Sequence, residues 1–385
     1  MKSFLFKSPT KVKFHEGASL ELAGLLRELG VLKPMIVSGP HVSKTAFFQK
    51  AVEALRQEGY EPVLFLDTVT DPPIEDVDKG AQCLKESGCD GVIAVGGGSP
   101  MDTAKAMCML ATNPGSARDY VFGGGRTVSV PPLPLLCVPT TAGSGSEVTA
   151  ATVITDNQND IKLSITHESL FPKYAVIDPL LHVDMPPFIT ATTGMDALTH
   201  ALESYVSHNA NPISDAYGSA AMKRIGAYIR KAFLTPGDME ARSSMAVASA
   251  MAATAYVNGG LGAVHGIAQA LGGVAHVAHG TANALLLPYV MKRNKQGNPE
   301  KFAQIAAFLG ADTSGLSAEE AAELSVAEVR RMAQDLKIPE TLREVGVTRD
   351  MFPAIIKGTM EYRLLPLNPV VLTAKDIEEI LEEVF

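Results

Sequence analysis

The chain has 385 residues, too many for one ordinary hydrophobic core and suited to two domains. Apolar residues make up 46% and charged residues 19%, the composition of a folded globular protein. A formal net charge of −9, with no lysine and arginine cluster interleaved with aromatics, argues against a nucleic-acid partner and makes small-molecule chemistry the default.

The N-terminal MKSFLFKSPTKVKFHEG has no apolar run of signal-peptide length and reads as a β-strand. Further strands are expected at 32–38, 61–66, 91–95, 135–139 and 174–177, with amphipathic helices over 19–29, 42–58 and 74–87 between several of them. This alternation predicts a parallel α/β sheet. The runs VITD and IKLSI around the turn-like DNQND predict a β-ribbon across 151–165. After 185 the strand signal ends, and the remainder reads as helices joined by loops near 209–212, 235–238 and 310–315. The expected division is an α/β domain over 1–185 and an all-helical domain over 186–385. Cys83, Cys89, Cys108 and Cys137 form no CxxC pair and read as buried free thiols. With no apolar stretch long enough to cross a bilayer, the expectation is a cytoplasmic protein with no membrane partner.

Two strand-to-helix turns suggest a phosphate-bearing ligand. The strand at 91–95 ends in Gly96-Gly97-Gly98-Ser99-Pro100-Met101-Asp102, where Ser99 fits an N-cap, Pro100 the first helical position and Asp102 the third position of a capping box. Glycines ahead of a helix let backbone N–H groups approach an anion, although this turn is neither a P-loop nor GxGxxG. The strand at 135–138 leads into PTTAGSGSEVT, whose hydroxyls on Thr140, Thr141, Ser144, Ser146 and Thr149 suit a nucleotide. Both turns lie on the carboxyl edge of one sheet, where open α/β sheets bind ligands.

In the second half, GMDALTHALES places Asp196 and His200 one helical turn apart, on one face, close enough to share an ion. Such a pair is more often an ordinary surface contact. Here, however, His265 in GGLGAVHGIAQALGG and His279 in VAHVAHGTANALLLPYV lie in segments nearly free of charge, where polar rings need partners. One carboxylate and three neutral imidazoles suit Fe²⁺ or Zn²⁺ with a position open for a substrate oxygen. His276 could compete as a ligand or face the substrate. With a nucleotide at the sheet edge, an interdomain cleft is the expected active site.

GGGSPMDTAKA, PTTAGSGSEVT, GMDALTHALESYVS, GAVHG and AHGTANALLLPYV together resemble the iron-containing, or group III, alcohol dehydrogenases in order and spacing, over essentially the whole chain. The resemblance implies an N-terminal dinucleotide-binding α/β domain with a parallel sheet, as in dehydroquinate synthase, followed by an all-α metal-binding domain. It implies Asp196, His200, His265 and His279 as metal ligands, and Gly97, Gly98, Ser99, Asp102, Thr140, Thr141, Ser144, Ser146, Thr149 and Lys162 as cofactor contacts. It also implies a homo-oligomer, a dimer or larger.

Three positions depart from the family pattern. Gln269 stands where relatives often carry the second histidine of HxxxH near the nicotinamide. Gly39 stands where many NAD-preferring relatives have an acidic residue, so NADP is permitted beside NAD. The C-terminal Leu364-Leu365-Pro366-Leu367-Asn368-Pro369-Val370 lacks the Cys and Arg of the usual CxxxNPR. The expected reaction is reversible hydride transfer between a small primary alcohol or diol and NAD(P)⁺. Fe²⁺, or alternatively Zn²⁺, activates the substrate oxygen, while His276 and Gln269 are the candidates for the proton path. The rival readings are a semialdehyde or hydroxy-acid dehydrogenase of the hydroxybutyrate type and a glycerol-dehydrogenase-like polyol oxidoreductase.

Overall fold

The computed structural model describes residues 3–159 and 161–385, and the chain forms two compact units. One covers residues 8–141 and 145–182. The other comprises Val183–Phe385, Ala142–Ser144 and the N-terminal segment up to Lys7.

In the first unit the strands are β1 (Lys11–Phe14), β2 (Pro34–Ser38), β3 (Val63–Phe65), β4 (Gly91–Gly96), β5 (Leu135–Pro139), β6 (Ala151–Asp156), β7 (Ile161–Thr166) and β8 (Tyr174–Ile177). The helices are α1 (Leu22–Leu29), α2 (Ala46–Gln57), α3 (Ile74–Glu86) and α4 (Gly98–Thr112). Six strands form an all-parallel sheet in the order β1-β8-β5-β4-β2-β3, and β6 and β7 form a separate antiparallel ribbon. Alternation along the strands explains the two layers of helix. Met35, Val37, Val92, Ala94, Leu135 and Cys137 pack in one core with α3 and α4, while Ile36, Ile93, Val95, Leu136 and Val138 pack in another with α1 and α2. Chain order reverses between β2 and β4, so the ends of those strands, Gly39 and Gly97, flank the switch point where such sheets bind ligands.

Two sequence expectations change. Among the described residues the N-terminal stretch is a strand only over Lys11–Phe14, which pairs with the four residues of β8. The capping box at Ser99 does not form. Helix α4 starts two residues early, at Gly98, with Gly97 as its N-cap and no side-chain cap. Ser99 Oγ instead accepts from Asp71 N–H at 3.3 Å. Asp102 accepts from Ser146 Oγ at 2.7 Å and from Val153 N–H at 2.9 Å. Gly96 makes the early start possible: its φ is +152°, and a Cβ there would lie 2.7 Å from the Pro100 ring.

Beneath these turns the Lys105 side chain is buried. It donates to Ser146 Oγ (2.7 Å), Thr149 Oγ1 (3.0 Å) and the Ala151 carbonyl (2.8 Å), tying α4 to the segment that follows β5. Glu147 is buried in the same segment, and its Oε2 has no hydrogen-bond partner.

The second unit is helical: α5 (Pro187–Val206), α6 (Pro212–Leu234), α7 (Met239–Gly259), α8 (Ala263–Val274), α9 (His279–Asn294), α10 (Pro299–Phe308), α11 (Ala318–Asp335), α12 (Phe352–Met360) and α13 (Ala374–Val384). Among the described residues no single helix is long and apolar enough to cross a membrane. Helix α5 packs against α6, α7 and α9 and is buried on nearly every face beyond Ile189. Its polar residues therefore need internal partners. Thr192 and Thr199 return their hydroxyls to carbonyls one turn back, whereas Asp196, His200 and Glu203 meet groups on other elements. The start of α5 is held by Arg242 of α7, which is buried and donates to Thr190 Oγ1 (2.8 Å), Met185 O (3.3 Å) and Pro236 O (2.9 Å).

Two stability predictions follow from these buried charges. Arg242→Ala leaves a cavity and unpaired acceptors under α5, so it should cost roughly 3–5 kcal/mol and markedly lower the thermal midpoint. Burial pushes Glu147 up to about 7. Its carboxyl is therefore protonated in the folded protein below that pH, while the unfolded chain releases the proton near the ordinary glutamate value of 4.5. Stability from this group is present below pH 4.5 and is lost as pH rises toward 7. Glu147→Gln should accordingly match the parent near pH 4 and exceed it at pH 8 by up to roughly 3 kcal/mol, as measured by denaturant unfolding at both pH values.

Candidate metal and cofactor sites

Three helices bring four side chains to one point. Asp196 and His200 come from the middle of α5, His265 from the first turn of α8 and His279 from the first residue of α9. Asp196 Oδ1 lies 4.0 Å from His200 Nε2, 3.8 Å from His265 Nε2 and 3.7 Å from His279 Nε2. Donors about 2.1 Å from a tetrahedral ion are separated by about 3.4 Å, so this set is only slightly wider than a bound metal requires. Asp196, His265 and His279 form the tightest group, with ligand atoms all within 4.8 Å of one another, and His200 joins it through Asp196. The rings of His200 and His265 stack at 4.6 Å, and Tyr256 stacks on His200 at 4.5 Å. The His279 side chain is 38% exposed against 5–6% for the other three, which marks the side from which a ligand can approach.

Outer contacts set the tautomers. His200 Nδ1 faces the Gly143 carbonyl at 3.3 Å, and His265 Nδ1 faces Glu203 Oε2 at 2.7 Å. Both partners only accept, so each Nδ1 carries the proton and each Nε2 presents a lone pair toward Asp196. Burial pushes His200 down to about 4, which keeps it neutral and available as a ligand near pH 7. Burial pushes the Asp196 carboxyl up, and the Asn283 N–H counters it by donating to the ionised form at 2.6 Å.

Sequence reading passed over Asn283 and Glu203. The Asn283 amide nitrogen donates to Asp196 Oδ1 at 2.6 Å and lies 3.2 Å from His265 Nε2 and 3.1 Å from His279 Nε2. Its two hydrogens serve three acceptors, and its Oδ1 is buried without a hydrogen-bond partner. So electron-rich a focus fits a cation. Both residues carried a signal, since Asn283 is four residues after His279 in an apolar helix and Glu203 continues the face of Asp196 and His200.

His276 and Gln269 lie on different segments. Gln269 follows His265 by one turn of α8. His276 is exposed in the connection between α8 and α9, with φ at +53°, a left-handed conformation that costs a non-glycine residue about 1 kcal/mol.

In the α/β unit, Gly97, Gly98, Ser99, Thr140 and Thr141 surround the ends of β4 and β5, with Thr140 N–H donating to the Gly96 carbonyl at 2.9 Å. Gly39 follows β2 at the switch point, where a Cβ would meet the Thr68 carbonyl at 3.3 Å. Asp102, Ser146 and Thr149 belong to the buried network around Lys105. Lys162, on β7, pairs with Asp71 at 2.7 Å, and Asp71 also has a left-handed backbone. Ser144 belongs to the helical unit. The partly buried glycine amides and the start of α4 can hold a pyrophosphate.

The chain matches the family model for iron-containing alcohol dehydrogenase over residues 9–179 and that for the C-terminal part of the same family over 190–385. It is 41% identical over 363 residues to choline dehydrogenase of Bacillus subtilis (strain 168), covering 94% of this chain and 90% of the relative. It is 37% identical over 366 residues to NAD-dependent methanol dehydrogenase of Bacillus methanolicus, covering 95% and 96%. The crystal structure of a 1,3-propanediol oxidoreductase superposes with a TM-score of 0.96 at 35% identity, with both chains fully covered. By sequence along both halves and by fold, the chain is an oxidoreductase belonging to the iron-containing alcohol dehydrogenase family.

Proposed function

We propose that the protein is a divalent-metal-dependent, NAD(P)-linked dehydrogenase of small primary alcohols or diols, and an aldehyde reductase in reverse. The observation that carries this reading is the buried Asp196 oxygen facing three imidazole nitrogens at 3.7–4.0 Å. Choline, methanol and 1,3-propanediol, named in the three relatives, are all primary alcohols, which supports the substrate class. Fe²⁺ is the preferred ion, because one carboxylate with three imidazoles is a harder donor set than thiolates.

When bound, the ion supplies Lewis acidity that lowers a hydroxyl pKa, from about 16 to about 7 for water, and the nicotinamide supplies the hydride acceptor or donor. The protein's own groups prepare the site. Asp196 offsets positive charge, Gly143 and Glu203 keep the Nε2 lone pairs of His200 and His265 available, and the sheet-edge glycines and hydroxyls orient the dinucleotide. His276, exposed and ionisable, is the candidate proton carrier. Gln269 can orient a hydroxyl but cannot carry a proton near neutral pH. The free thiols of Cys83, Cys89, Cys108 and Cys137 suit a reducing, cytoplasmic setting.

The test is nicotinamide absorbance with butanal and NADH or NADPH, on metal-stripped protein reloaded anaerobically with Fe²⁺ or Zn²⁺. Turnover without metal would refute the role given to the four ligands. The nine-unit hydroxyl shift corresponds to about 12 kcal/mol, against roughly 3–5 kcal/mol for a positioned proton-transfer group. His200→Ala and His265→Ala should therefore reduce kcat to near background. Gln269→His should change it by less than about 100-fold. Gly39→Asp should shift preference from NADPH toward NADH by at least about tenfold in kcat/KM, since a carboxylate there repels a 2′-phosphate.

A further inference from the structure

Helix α8 carries His265 as its third residue, and the N–H groups of its first turn have no partner within the helix. The N-cap, Gly262, has no side chain to serve them. Two buried side chains from elsewhere in the helical unit do so. Glu203 of α5 accepts from Gly262 N–H through Oε2 at 3.0 Å and from Val264 N–H through Oε1 at 2.7 Å. Asn368, beyond α12, accepts from Ala263 N–H through Oδ1 at 3.2 Å. Asn368 is itself locked by reciprocal amide hydrogen bonds with Asn294 at 2.8 and 2.7 Å and by donation to the Val370 carbonyl at 2.8 Å. Glycine is needed at 262, because a Cβ there would lie 2.8 Å from Asn368 Oδ1 and 3.1 Å from Glu203 Oε1.

The Oε2 that caps Gly262 also accepts from His265 Nδ1 at 2.7 Å. One carboxylate thus fixes both where α8 begins and which nitrogen of His265 bears the proton. Its charge also complements the positive end of the helix dipole.

We propose that Glu203, with Asn368 beside it, is the positioning residue for His265, setting the tautomer and location of that ligand before metal arrives. The proposal rests on the metal reading above. It assigns Asn368, from the divergent C-terminal motif, to the support of the metal site.

The test uses Co²⁺ as probe on the full-length protein, measuring affinity by chelator competition and coordination by visible d–d absorption. The parent should bind one Co²⁺ per chain, and His265→Ala should lose most of that affinity. Glu203→Gln should weaken Co²⁺ binding by roughly 10–100-fold and shift the absorption bands, with the helical circular dichroism retained. Parent-like affinity and bands in Glu203→Gln would overturn the proposal while leaving the metal site standing. A parent that binds no Co²⁺, or a His265→Ala variant that binds like the parent, would instead overturn the metal reading itself. If Glu203→Gln does not fold, Asn368→Ala decides: a fall in Co²⁺ affinity supports the proposal and an unchanged value overturns it.

Discussion

A carboxylate buried in the middle of a helix bundle is the constraint from which the helical unit is built. Asp196 is 4% exposed, and stranding its charge there would cost several kcal/mol unless other groups met it. Three imidazoles and one amide converge on its Oδ1, each from a position that demands something of the backbone. His200 needs α5 intact for one more turn, His279 needs α9 to begin at that residue, and His265 needs α8 to begin two residues before it. The left-handed His276 and the glycine at 262 are the local means by which those helix starts are reached. Arg242, donating to Thr190 and Met185 at the start of α5 and to Pro236 ahead of α7, keeps the helix that carries Asp196 in register.

His265 stands between two acids on the same helix. Its Nδ1 meets Glu203 and its Nε2 points toward Asp196, so the ring is oriented from both ends. The two carboxylates, seven residues apart on α5, have different tasks. Glu203 is fully engaged by backbone N–H groups and a ring N–H, whereas Asp196 faces ring nitrogens that offer lone pairs. Carboxyl groups with unlike surroundings take unlike roles, and only Asp196 is placed to share an ion.

The α/β unit solves a similar problem with the opposite sign. Lys105 is buried and met mainly by hydroxyl and carbonyl oxygens, with the nearest Asp102 oxygen at 3.9 Å. Its donors draw Ser146 and Thr149 inward beneath the turn that follows β5, and Asp102 accepts from Ser146. The hydroxyls of that turn are therefore not equivalent. Ser146 and Thr149 serve the buried lysine, while Thr140 and Thr141 sit beside the glycines at the strand ends.

Fold class, the switch from alternating strands to helices near residue 185, the two strand-to-helix turns and the four metal candidates were all legible in the sequence. Each is written in local periodicity or in an ionisable residue set within apolar sequence. Asp196 and His200 are four residues apart on one helix, so their proximity needed no tertiary information. The order of the strands, the start of α4 at Gly98 and the failure of the Ser99 capping box were decided by packing, because Asp71, Ser146 and Val153 compete for the same side chains from distant positions. The support of His265 by Glu203 and Asn368, 62 and 103 residues away, likewise exists only once three helical segments have met. Local sequence determines which face of a helix is polar. Only the folded chain determines which buried acceptor each donor on that face will find, because every alternative partner must be excluded by close packing.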